Sequence, residues 1–163
     1  MDVETLVAIE EIKRLKYRYL RCLDLKKWDE LAECLTEDVT ATYSGGGYSF
    51  DGRDSVMEFL VTSMASTSML TSHTCHHPEI DVADGEATGT WSLFDRVLHQ
   101  EFDVMIEGSA FYEDRYVHRD GRWWIAHTGY RRVFEEITPI SATEGRRLTA
   151  SWWATDGRSE LAG

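Results

Sequence analysis

The sequence predicts an α+β fold, a cone-shaped α+β barrel in which three N-terminal helices pack on a strongly curved, mostly antiparallel sheet. Three observations carry this. Apolar residues recur at helical spacing as far as Met64. From Ser72 onward the pattern changes to long alternating runs, and Asp84-Gly85 and Asp120-Gly121 punctuate them as two-residue hairpin turns do. Helices gathered at one end of the chain and strands at the other give an α+β layer rather than an alternating α/β one.

Each element follows from its residues. Leu6, Ile9, Ile12, Leu15, Tyr19, Leu20 and Leu23 form the stripe of an amphipathic helix that ends near Asp24. Residues 28–35 predict a short second helix with Leu31, Cys34 and Leu35 on one side, and with Asp29 and Glu30 in the first turn, where they complement the helix dipole. Thr36 to Asp38 is expected to break it. Residues 39–43 read as a strand, 44–47 as a glycine-rich turn and 48–50 as a short return strand. After a helix start at 51–54, Val56, Met57, Phe59, Leu60 and Met64 keep the period of a third helix. Four long strands are expected over 72–82, 87–99, 108–117 and 123–134. They form an antiparallel meander that leaves a cavity against the helices. Residues 1–138 make one domain, and 139–163 a polar tail whose pair Trp152-Trp153 should cover the pocket or a subunit interface.

Composition removes several function classes. A chain of 163 residues is one ordinary domain with a real core. Its net charge of −12 repels polyanions, so nucleic acid is an unsuitable partner. The acidic N-terminus is unlike a leader, and no run approaches the roughly 18 apolar residues of a membrane span, so a cytoplasmic protein without membrane attachment is expected. Cys22, Cys34 and Cys75 have no paired spacing and read as reduced thiols. There is no P-loop, Gly-x-Gly-x-x-Gly or Gly-x-Ser-x-Gly, which lowers nucleotide cofactors and serine hydrolysis.

The residues able to do chemistry cluster around a few positions. Asp24 sits at the carboxyl end of the first helix, where the dipole disfavours a carboxylate. Lys26 and Lys27 offer it surface partners, whereas Leu20 and Leu23 beside it suit an inward side chain that holds an imidazole. In the strand from Ser72, the two-residue period puts His73, Cys75 and His77 on one face. Zinc selects such side chains, but they alternate on a single strand without a Cys-x-x-Cys, so acid/base use ranks above a metal and no metal is assigned. Asp95 shares parity with Trp91, Leu93 and Val97 and so faces inward, either as a second pocket acid or paired with a base the pattern does not identify. Tyr19, Tyr43 and Tyr48 offer hydroxyls near the inside of the cone. Tyr112, Asp114 and Tyr116 share a face that is either concave or convex. The arginines Arg131 and Arg132 default to surface salt bridges.

These stretches resemble the SnoaL-like branch of the nuclear-transport-factor-2-like superfamily, which includes scytalone dehydratase, bile-acid 7α-dehydratase, polyketide cyclases and hexachlorocyclohexane dehydrochlorinase. The likeness runs over about residues 5–135 and is carried by Tyr19-Leu-Arg-Cys-Leu-Asp24, by His73-Thr-Cys-His-His-Pro78, and by Tyr112-Glu-Asp-Arg-Tyr116 with Asp120-Gly-Arg-Trp123. It implies an Asp24/His73 dyad, with Tyr19 placed like a tyrosine of the bile-acid enzyme and Tyr43 like a strand tyrosine of scytalone dehydratase. Where the latter has a second histidine, near Val97, this chain has none, and Asp95 and His99 flank the position. Trp124 stands in for a basic residue of the dehydrochlorinase.

The expected activity is therefore cofactor-independent β-elimination, the dehydration of a hydroxylated, carbonyl-bearing apolar small molecule. His73 is the base, Asp24 its orienting partner, Tyr19 or Tyr43 the donor to the enolate and Asp95 a helper. Tyr48, Trp91, Val97, His99 and Tyr112 are the expected substrate contacts. Isomerisation or cyclisation by the same dyad, or a non-catalytic binding or assembly module, are the alternatives. A homo-oligomer, dimer or trimer, is the expected assembly.

Overall fold

The computed structural model describes residues 2–161. Helix α1 spans Val3–Asp24, α2 Trp28–Ala32 and α3 Arg53–Met64; strands β1 to β6 span Leu35–Tyr43, Tyr48–Asp51, Met69–Ala83, Glu86–His99, Val104–Arg119 and Arg122–Pro139. The strands form one open sheet in the order β2-β1-β6-β5-β4-β3. It is antiparallel except where β1 runs parallel beside β6. The sheet does not close into a barrel, because β2 and β3 remain its edges.

Local chemistry explains the elements. Asp2 caps α1 by accepting a hydrogen bond from the Thr5 amide at 2.8 Å, and that bond holds its carboxyl below the usual range. At both Asp-Gly hairpins the two turn residues have positive φ, 51° and 78° at Asp84-Gly85 and 53° and 76° at Asp120-Gly121, the geometry that matches strand twist. The core joins Ile12, Tyr19, Leu20 and Leu23 of α1 to Val39 and Ala41 of β1 and to Trp91, Leu93, Ala110 and Ile125 of the sheet. Each fully buried large apolar side chain contributes about 1.5–3 kcal/mol.

Two expectations need correction. The second helix stops at Ala32 instead of Leu35, and β1 begins at Leu35 rather than Val39. Leu35 is drawn into the sheet by its pairing with Ile125 of β6, and an irregularity between Leu35 and Thr40 absorbs the polar segment expected to be a break. The long strand from Met69 continues past His77 and Pro78 through a bulge, with His77 at φ 47° and both His76 and His77 exposed. No helix among the described residues is long and apolar enough to cross a membrane.

After β6 the tail turns through Ile140–Ala142 and is tied to the β4–β5 loop, where Asp103 accepts hydrogen bonds from the Ser141 amide and hydroxyl at 2.8 and 2.6 Å. It then returns toward the ends of α1 and α3. There the Lys26 ammonium donates to the Met64 carbonyl at 2.6 Å and lies 4.9 Å from the ring centre of Trp153. Trp152 is exposed.

Candidate active site

A cavity of about 260 Å³ lies between α1, α3 and the concave face of the sheet. Its size falls just below the roughly 300–1,000 Å³ of sites for drug-sized ligands, which suits a compact guest. Leu23, Phe59, Leu60, Met64, Met69, Val97 and Ile106 make most of the wall apolar. The polar atoms come from Tyr19, Tyr43, Tyr48, Tyr112 and Tyr130, from Ser44 and Ser63, and from His73, Asp95, Arg132 and Glu135.

Asp24 ends α1 beside the start of β3, so its side chain reaches across to that strand. Its carboxylate accepts three hydrogen bonds: from Thr71 Oγ1 at 2.8 Å, from the His73 amide at 2.9 Å and from His73 Nδ1 at 2.6 Å. A carboxylate only accepts, so Nδ1 carries a proton, and in the neutral ring Nε2 is the bare nitrogen. The imidazole lines the cavity and is 9% exposed, against 21% for the Asp24 side chain. The ring plane of His73 is thus fixed by its neighbours.

His73 stands directly opposite Asp95 in the β3–β4 register. Asp95 is bound by Arg132 through both oxygens, one contact being very short and the Nη2–Oδ2 contact 2.9 Å. The side chains are 5% and 19% exposed, and Arg132 also meets Glu135 at 2.9 Å. These carboxylates raise the Arg132 guanidinium against the opposing effect of burial, so it stays charged. The phenols of Tyr19 and Tyr43 are held neutral. Burial first, and then the neighbouring phenols Tyr43 and Tyr112, push Tyr19 well above the usual range, and burial does the same to Tyr43. The Tyr43 hydroxyl is buried without a hydrogen-bond partner among the described residues, which leaves an O–H free for a guest. Its ring is stacked on Phe59 at 5.5 Å and tilted against Tyr130 at 5.7 Å.

The structure therefore brings Tyr19, Tyr43, Tyr48, His73, Asp95, Val97 and Tyr112 to one cavity, with Asp24 behind His73. It does not bring Trp91 or His99. Trp91 is fully buried in the core with its indole N–H given to the Tyr116 hydroxyl at 2.9 Å. His99 lies at the end of β4, with its ring 4.4 Å from that of Phe102. Trp124 is also away from the cavity, its indole donating to the Arg119 carbonyl.

Arg132 corrects the surface default, and the sequence held the clue. The two-residue period puts it on the face of Tyr130, while inward Asp95 required a cation. The face shared by Tyr112, Asp114 and Tyr116 is the buried, concave one.

The family model of the SnoaL-like domain matches residues 4–129. The chain belongs to the SnoaL-like family. Among solved structures it is similar to a candidate scytalone dehydratase from Novosphingobium aromaticivorans, at 22% identity over 96% of this chain and 97% of that one, with a TM-score of 0.75. It is also similar to the hexachlorocyclohexane dehydrochlorinase LinA of Novosphingobium barchaimii, at 18% identity over 91% and 98%, TM-score 0.74. A third is ActVI-ORFA of Streptomyces coelicolor, at 17% identity over 77% and 96%, TM-score 0.66. At these identities the likeness establishes the fold, and the chemistry must be argued from this chain's own residues.

Proposed function

We propose that this SnoaL-like chain is a cofactor-independent lyase that dehydrates a compact, hydroxylated, carbonyl-bearing apolar molecule. The supporting observation is the Asp24–His73 contact at 2.6 Å, which leaves Nε2 as the only nitrogen of the ring free to take a proton inside an apolar cavity. Nε2 removes the proton next to the substrate carbonyl, and Asp24 stabilises the imidazolium that forms. Tyr19 and Tyr43, kept protonated by burial, donate to the developing enolate oxygen. When the enolate collapses, the electron pair forms the carbon–carbon double bond and the β-hydroxyl leaves with the proton returned by His73, so the product is the enone plus water. In this scheme Asp95 is tied to Arg132 as a fixed ion pair at the rim, rather than serving as a proton carrier. The neighbouring family members described as a dehydratase and a dehydrochlorinase are consistent with elimination chemistry.

The test uses purified protein and a panel of one- and two-ring β-hydroxy ketones, with products followed by mass spectrometry. Wild type is expected to release one water from at least one member. His73→Ala is expected to lose at least about a thousandfold in rate, within reach of the 10²–10⁴ that acid/base assistance supplies together with lost positioning. A His73→Ala rate equal to wild type would exclude the mechanism. Conversion without loss of mass would redirect the same dyad to isomerisation or cyclisation.

A further inference from the structure

Lys16 occupies the inward stripe of α1, four residues after Ile12 and three before Tyr19, at a place where an apolar residue would be expected. It is completely buried, and so is its partner: Nζ lies 2.7 Å from Asp114 Oδ2, both side chains having zero exposure. The same carboxylate oxygen accepts from the Tyr116 hydroxyl at 2.7 Å, and Tyr116 in turn accepts from Trp91. On its other side the ammonium faces rings, with the centre of Tyr112 at 3.5 Å and that of Tyr19 at 5.1 Å. Among the described residues Lys16 Nζ has no acceptor in hydrogen-bond geometry, so the charge of Asp114 and the ring faces are what it rests on.

Stability does not account for this arrangement. Two charges taken out of water lose hydration that their attraction repays only in part, and apolar residues of similar volume commonly serve the fold as well or better. What the pair contributes is direction. Tyr19 and Tyr112 line the cavity, while Lys16 and Asp114 lie behind them. Trp91, Tyr116 and Asp114 thus anchor an ammonium whose exposed attraction falls on the two phenol rings that form the cavity floor.

We propose that Lys16 is a positioning residue, clamped by Asp114, that fixes the Tyr112 and Tyr19 rings and so sets the shape of the cavity floor and the aim of the Tyr19 hydroxyl. The proposal rests on the reading of this cavity as the ligand site. It also assigns a role to Trp91, which holds the anchor from the core instead of touching a guest.

The test compares wild type with Lys16→Met/Asp114→Asn, which removes both charges and keeps an oxygen to accept from the Tyr116 hydroxyl. Two readouts are used: the tyrosine ring signals of Tyr19 and Tyr112 in NMR, and binding of β-naphthol by calorimetry. The expected result is a folded double variant whose two rings flip freely and whose β-naphthol affinity is at least about tenfold lower. Unchanged ring signals in a folded variant would overturn the proposal. Should the double variant fail to fold, Tyr116→Phe removes one hydrogen bond from the anchor; it is expected to loosen the same rings with a few-fold loss of affinity, and rings as ordered as in wild type would overturn the clamp. Wild type that takes up no β-naphthol would count against the ligand-site reading, while the ring signals, which need no guest, would still decide the role of Lys16.

Discussion

Asp24→Asn changes one heavy atom and tests the dyad where it is most specific. In the wild type all three hydrogen bonds at this carboxylate run toward it. An amide presents one acceptor and one donor, so two orientations are open. With its oxygen toward Nδ1, the amide nitrogen confronts the His73 backbone N–H, donor against donor. With its oxygen toward that N–H, the amide nitrogen donates to Nδ1, and the imidazole must move its proton to Nε2. The second orientation leaves no buried donor stranded and is the one expected. In that orientation the His73 amide still donates to an oxygen, now neutral, while the bonds to Nδ1 and Thr71 reverse; each loses charge assistance worth about 1 kcal/mol, so about 3 kcal/mol of stability is lost, since the site is mostly shielded from water. For a chain of this size that lowers Tm by about 6–12 °C. The assay is a thermal or urea melt together with nitrogen NMR of the His73 ring. The wild type should show Nδ1–H and the variant Nε2–H, and with the base protonated at its working nitrogen the proposed reaction should fall by roughly 10⁴, as such a tautomer swap does in serine proteases. A wild-type ring already protonated at Nε2, or a variant with unchanged tautomer and Tm, would refute the reasoning.

Two further outcomes follow from the same electrostatics. Arg132→Met strands Asp95, whose side chain is 5% exposed, and is expected to cost about 3 kcal/mol in a urea melt, with Asp95→Asn added to it recovering most of the loss; equal stability of Arg132→Met and wild type would show the ion pair to be idle. Burial pushes the Cys75 thiol up to about 12 and Cys34 up to about 11, from 9.0. A raised folded value means stability fully present below the unfolded value and lost as pH rises toward the folded one, so the melt should weaken above about pH 9, by about 1.4 kcal/mol for each thiol near pH 10. Cys34→Ala/Cys75→Ala should flatten that stretch of the curve, and an unflattened curve would remove the thiols as its cause.

What could be read from the sequence was whatever depends on neighbours along the chain. The period of α1, the Asp-Gly turns and the alternation that put Asp95 inward all have ranges of a few residues, and all appear in the fold. The α2–β1 boundary misled because Leu31, Cys34 and Leu35 are buried in either reading; only the parallel pairing of Leu35 with Ile125, far along the chain, makes it a strand. Trp91 and His99 shared parity with true cavity residues, but parity selects a face and not a depth. Trp91 lies under the cavity and His99 beyond it. Lys16 was hidden by its type. A lysine on an apolar stripe reads as noise until Asp114, on the fifth strand, is found beside it.

The cavity places two carboxylates near one imidazole, and how each is engaged decides what the imidazole is able to do. His73 and Asp95 face each other across β3 and β4, and an unpaired Asp95 would compete to hold the proton at Nε2. Arg132 prevents that by taking both oxygens of Asp95. Asp24 meanwhile takes Nδ1 and also accepts from Thr71 and the His73 amide. One acid is neutralised by a guanidinium and the other is spent on orientation, in a cavity whose wall is mostly apolar. In the proposed mechanism that division of partners, more than the presence of a histidine, is what equips a strand residue to act as the base. It also ties Arg132 to the chemistry although it need never touch the reacting atoms: freeing Asp95 should impair proton transfer even in a guest that still binds.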